Sequence, residues 1–190
     1  KASGQHDYGR YAIRSFASGG KVRTRAFVGS KVVGDAEGPS LTDALHAMRT
    51  LLDGRDAGFR AARREGIPTA EEFADAFDHL APRIGEHHWL MLKALLTAPN
   101  RTLNAIEIAA AAGYTGFASA NVHLGKLARM VAEDLEYRPD RRTDGSPRWT
   151  TTLATGADPA LSEDDGLWRW TLRPEVAECL LRMNLGGPAA

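Results

Sequence analysis

The side chains best equipped for chemistry cluster in the second half of the sequence. Ser119, Asn121, His123, Lys126 and Arg129 follow one another closely. A hydroxyl, an amide and an imidazole can meet base edges, and lysine and arginine can neutralise phosphates. A second group follows in the turn-rich stretch Tyr137–Arg148, where Arg141, Arg142 and Arg148 stand among Pro139, Gly145 and Pro147. These three arginines are candidates for phosphate contact, and an ordinary hydrophilic loop is the alternative. A third group lies near the start: Lys21, Arg23 and Arg25 alternate with Val22, Thr24 and Ala26. In a strand the three cations share one face, and a basic β-ribbon can enter a major groove. Solvated strand faces are also commonly basic, so the plain alternative stands beside that one.

Other chemistries find less support. Glu71, Glu72, Asp75 and Asp78 read as an acidic helix face, and Asp164-Asp165 as part of a loop, neither with a positioned lysine or the strand pattern of a nuclease centre. There is no phosphate-cradling glycine loop followed by lysine and no nucleophile elbow, and Cys179 has no evident histidine partner. His87 and His88 are adjacent, with His79 upstream, but neighbours on a helix point about 100° apart and no cysteine or aspartate cluster completes a tetrahedral set. The expectation is a chain that is not an enzyme, with no metal site and no cofactor.

The 190 residues, 43% hydrophobic and 25% charged, suffice for one large or two small domains. Cys179, the single cysteine, cannot form an intrachain disulfide and reads as a buried helical hydrophobe. No apolar run approaches the roughly 20 residues of a membrane span, and Lys1–His6 lacks the apolar core of a signal peptide. A soluble, cytoplasmic protein of bacterial type is expected. The net charge is zero, yet residues 1–66 carry twelve Lys+Arg against seven Asp+Glu, and residues 67–190 carry twelve against seventeen. Any phosphate binding by the second part must use local patches.

The elements that must position these residues can be read in turn. Alternation with breaks at Ser18-Gly19-Gly20 and Gly29-Ser30 predicts three antiparallel strands, about 9–17, 21–28 and 31–34. Ser40 caps a helix with Asp43 in the reciprocal capping-box position, and Leu41, Leu45, Met48, Leu51 and Leu52 follow at helical spacing. Gly54 is expected to stop or break that helix, with a second stretch from Arg55 to Glu65. Residues 1–66 thus form a basic β-β-β-α domain. It is similar in outline to the arm-binding domains of phage integrases and to small β-β-β-α antitoxin domains. Residues 67–83 read as a helical connector with the stripe Phe73, Ala76, Phe77 and Leu80, stopped by Pro82.

Residues 84–190 form the last domain. The run Trp89–Leu96 is apolar nearly all round, as a buried first helix would be. Asn104 and Glu107 make a capping box for a short alanine-rich helix, Gly113 supplies a positive-φ turn, and Thr115 is placed to cap a third helix of about 20 residues reaching Leu135. Phe117, Leu124, Ala128, Val131 and Leu135 make its buried stripe, which turns Ser119, Val122, His123, Lys126 and Arg129 outward. Trp149–Leu153 and Leu167–Leu172 read as two strands of a wing separated by an acidic loop, with Trp168 and Trp170 on one face as wing core, a base-stacking platform being the alternative, and Pro174 opens a final helix. Residues 84–182 therefore resemble a winged helix-turn-helix. The string Ala112-Gly113-Tyr114-Thr115-Gly116-Phe117-Ala118-Ser119-Ala120-Asn121-Val122-His123-Leu124-Gly125-Lys126-Leu127, with Trp168–Ala177 downstream, is similar to modules of bacterial restriction and HNH-nuclease proteins. That resemblance implies a DNA-reading module, acting on modified DNA in some cases, without its own cutting centre.

The fold class expected is α+β: an N-terminal three-stranded antiparallel sheet with a helix, a helical connector and a C-terminal winged helix-turn-helix. The function expected is sequence- or modification-dependent binding of double-stranded DNA, in regulation, mobile-element biology or defence. Its third helix would enter the major groove while wing and sheet hold backbone. A homodimer would give a palindromic target. The rival is a protein-interaction module, such as a phage-encoded inhibitor or adaptor, that uses the same fold as scaffold.

Overall fold

Alternation of inward and outward side chains builds the N-terminal sheet from β1 (Gly4–Tyr8), β2 (Tyr11–Ser18), β3 (Lys21–Val28) and β4 (Lys31–Gly38). The computed structural model describes residues 4–156 and 168–185, apart from the side chain of Phe117. The strands pair antiparallel in chain order, so the sheet has four strands where three were expected. The extra strand, Gly-Gln-His-Asp-Tyr, carries almost no apolar signal, and its identity comes from pairing His6 with Ile13 and Tyr8 with Tyr11. The inward face presents Tyr11, Ile13, Ala26 and Val28, which form one core with Met48 and Leu52 of α1 (Leu41–Ala62).

Helix α1 runs unbroken through Gly54, against the expectation of a stop there. An internal glycine costs about 1 kcal/mol relative to alanine, too little to end a helix held on both sides of it. Ala44, Met48 and Leu52 are buried ahead of Gly54, while Asp53 and Asp56 accept hydrogen bonds from Tyr8 (2.7 Å) and Tyr11 (2.5 Å). Ser40 caps the helix by accepting from the Asp43 amide at 3.2 Å. The Asp43 carboxylate accepts from the Ser40 hydroxyl at 2.6 Å.

The acidic helix α2 (Ala70–Leu80) buries Phe73, Ala76, Phe77 and Leu80 as its stripe predicts. Glu72 and Asp75 are buried too, so its carboxylates do not form one solvated face, and both have polar partners. The chain divides into two compact units that share this helix: Lys1–Thr69 with Phe77–Ala81, and Ala70–Ala76 with Pro82–Ala190.

The second unit contains α3 (Glu86–Thr97), β5 (Thr102–Asn104), α4 (Ala105–Ala111), α5 (Phe117–Asp134), β6 (Ala154–Gly156), β7 (Arg169–Leu172) and α6 (Pro174–Arg182). Its sheet has the order β5-β7-β6, antiparallel throughout. Asn104 closes the capping box of α4 by accepting from the amides of Ile106 (2.9 Å) and Glu107 (3.0 Å), while Glu107 accepts from the Asn104 amide (2.7 Å). Gly113 adopts φ 77°, and α5 then starts from Gly116 rather than from a Thr115 cap. Leu124, Ala128, Val131 and Leu135 are buried, joined by Ala120 and Leu127.

Two strand expectations change. Trp149–Thr152 is a 3-10 turn, not a strand, because Thr151 satisfies its hydroxyl on the Arg148 carbonyl (2.8 Å) and accepts from the Asp140 amide (3.2 Å). The strand begins only at Ala154, and β5 fills the far edge of β7. The acidic loop with Asp164-Asp165, and Leu167, lie outside the described residues. Cys179 is buried in α6. Among the described residues no helix is long and apolar enough to cross a membrane.

Candidate nucleic-acid interface

Helix α5 is held by its apolar side, and that fixes which residues it offers to solvent. Asn121, Lys126 and Arg129 are exposed, Val122 is 52% exposed, and Ser119 is half-buried. The segment after α5 folds into a tight turn: Arg142 and Ser146 bond through their backbones (2.8 Å), and the Arg148 amide donates to the Asp140 carbonyl (2.7 Å). Arg141 donates to the Gly145 carbonyl (3.0 Å) and Arg142 to that of Pro147 (3.3 Å). These contacts hold the side chains near the turn. Asp144 within the turn is held below the usual carboxylate range, first by its bonds from Ser146 and then by the charge of Arg142.

The structure brings three predicted residues together. Asn121 of α5 and Arg142 and Arg148 of the turn line one cavity of about 440 Å³, with Ala105, Thr150, Trp168 and Trp170. Trp168 is 60% exposed, so it is not wing core as expected. Its ring packs so close to Gly156 that a Cβ there would sit 2.6 Å from Cζ2, and it meets Trp170 edge-on with centroids 5.9 Å apart. The cavity thus combines an exposed aromatic face, two guanidinium groups and a side-chain amide. Such a set can stack a planar ring and bind phosphate or a base edge. Sequence alternation placed Trp168 and Trp170 on one face, but it could not say that the face stays open.

Charge pairing separates the candidate cations. Among the described residues, Lys126, Arg141, Arg142 and Arg148 have no carboxylate in ion-pair reach. Arg129 is engaged by Glu133 (2.7 Å) and lies over the Trp149 ring, 5.5 Å from its centroid. On the N-terminal sheet, Lys21 and Arg23 pair with Glu37 (2.7 and 3.4 Å) and Arg25 with Asp35 (2.7 Å). The β3–β4 register sets Arg23 opposite Glu37 and Arg25 opposite Asp35. The face is therefore a mixed-charge ladder rather than a uniformly basic one, because Glu37 and Asp35 of β4 lie against the three β3 cations.

His123 is displaced from the expected outward face. It is half-buried, stacked on Tyr114 with centroids 5.0 Å apart and planes 7° apart, and it faces His87 and His88 of α3 at 4.6 and 5.8 Å. A wheel drawn for α5 alone could not see α3 beside it. His88 is pulled down to about 4, by burial first and then by the neighbouring His87 and His123. Burial, His87 and Lys126 lower His123 as well. Where the sequence set His79 beside His87 and His88, the structure sets His123 there instead: ligand atoms of His87, His88 and His123 lie within 4.8 Å of one another.

The chain matches no family model, no curated protein and no solved structure.

Proposed function

We propose that the second unit is a winged helix-turn-helix that binds double-stranded DNA, with α5 directed at a groove and the Arg141–Arg148 turn on the backbone. The observation that carries this reading is the shared cavity of Asn121, Arg142, Arg148 and the tryptophans, where a side-chain amide converges with two guanidinium groups that form no ion pair among the described residues. The order helix, strand, helix, helix, strand, strand, with a β5-β7-β6 sheet, agrees with the winged-helix arrangement. An exposed aromatic beside those cations suits a base carrying a modification or drawn partly from the stack. Regulation, mobile-element biology and defence are the settings this activity fits.

The test is fluorescence anisotropy of the full chain against a random duplex pool at two salt concentrations. Arg142→Ala and Arg148→Ala should each weaken binding and lower the salt slope by about 1, and Arg23→Ala and Arg25→Ala should leave both nearly unchanged. The rival reading, a protein-binding module, draws on the exposure of Val122 (52%) and Trp168 (60%) on this same face. Absence of duplex binding at low salt, with a stable protein complex lost on Val122→Asp, would establish the rival.

A further inference from the structure

We infer that His87, His88 and His123 form a transition-metal site, with zinc as the ion it suits best. The three side chains come from two helices that meet in the second unit, and each offers one nitrogen within 4.8 Å of the others. Around zinc at roughly 2.0–2.1 Å, tetrahedral nitrogens stand roughly 3.4 Å apart, so closure needs only small ring rotations. Among the described residues no carboxylate or cysteine belongs to the group. Three neutral imidazoles select zinc, copper, nickel or cobalt over calcium and magnesium.

The buried nitrogens themselves point to a ligand. His88 is 7% exposed, and its Nε2 is buried with no hydrogen-bond partner among the described residues; the Nε2 of His87 is in the same state. A buried polar nitrogen left unpaired carries a cost that a metal ion removes. The surroundings also make room for the rings. A Cβ on Gly85 would stand 2.8 Å from His87 Cε1, so glycine at the start of α3 lets this ring fold back over the helix terminus. Tyr114, stacked on His123, fixes the plane of the third ring.

His88 Nδ1 accepts from the Gly85 amide at 3.3 Å. Coordination through Nε2 places the ring proton on Nδ1, so that long contact gives way on loading. Three protein ligands leave a fourth position for water. Lys126 is the nearby cation; it is exposed, and solvent screens it. The consequence of occupancy is a bond between the start of α3 and the middle of α5. The site stands apart from the DNA-binding reading, because metal uptake is measured without DNA.

The experiment takes the full, untagged chain, strips it with a chelator and titrates it with Zn²⁺ by calorimetry and with Co²⁺ by visible absorption. The expected result is one equivalent bound, a low-coordinate cobalt spectrum, and a Tm raised by roughly 5–10 °C at zinc near a hundredfold its Kd. His123→Gln, a half-buried position that keeps the helix, should abolish all three, as should His87→Gln, with circular dichroism confirming the fold. His79→Gln should change none. Failure to bind one equivalent, a cobalt spectrum like that of the aqueous ion, or uptake undiminished in folded His123→Gln would each overturn the inference.

Discussion

At the residue scale, what separates one cation from another is its partner. Lys126 and Arg129 stand one turn apart on α5, yet Arg129 is held by Glu133 and Trp149 while Lys126 has no carboxylate in reach among the described residues. Lys126→Ala should therefore weaken duplex binding across all sequences and lower the salt slope by about 1, whereas Arg129→Ala should change binding less and thermal stability more. Anisotropy and melting curves on the two variants separate the effects. Tyr11 supplies a different residue-scale test. Burial first, and the bond to Asp56 second, push its hydroxyl up to about 12. A folded pKa raised above the unfolded value near 10 adds stability that is complete below pH 10 and lost as pH climbs through about 12. The loss should be roughly 2–3 kcal/mol, read from melts between pH 8 and 12. Tyr11→Phe should flatten most of it, leaving the smaller contribution of Tyr8, which Asp53 also raises. The arginines of the turn and Asn121 were legible in sequence because their chemistry is local. His123 was not, since its role depends on a neighbouring helix that periodicity within α5 does not describe.

At the scale of elements, caps and stripes were the readable signals, and their failures are physical. The Asn104–Glu107 capping box, the Gly113 turn and the buried stripe of α5 follow from patterns within a few residues. The strand β1 has no such pattern, and in the Trp149–Thr152 turn, which stands where a strand was expected, the Thr151 hydroxyl bonds the backbone carbonyl of Arg148 three residues before it. Gly54 shows how tertiary contacts override a local breaker. It sits in an exposed stretch of α1 with nothing within 4 Å of where a Cβ would lie. Gly54→Ala should accordingly raise stability by about 0.5–1 kcal/mol in denaturant unfolding; a helix boundary there would yield the opposite sign. Gly29→Ala is the contrast. Its φ is 55°, and a Cβ would fall 2.6 Å from the Asp78 carbonyl oxygen, so the same substitution should destabilise by more than the gain at Gly54.

At the scale of the whole molecule, zero net charge leaves DNA binding to local basic patches. The sequence places its basic excess in residues 1–66, which makes the N-terminal sheet the obvious electrostatic footprint. Side-chain pairing reverses that preference: Glu37 and Asp35 answer Lys21, Arg23 and Arg25, while Lys126, Arg141, Arg142 and Arg148 of the more acidic second unit lack such answers among the described residues. Each phosphate neutralised on duplex DNA contributes about −0.9 to the slope of log K against log salt concentration. Four available cations therefore set a slope of about −3.6, and three more from the sheet would carry it to about −6.3. Anisotropy over a series of salt concentrations distinguishes these values. A slope near the smaller one would place the contacts on α5 and its following turn. A slope near the larger one would mean that the β3–β4 ion pairs open on binding, and the combined variant Arg23→Ala and Arg25→Ala should then reduce it by about 2.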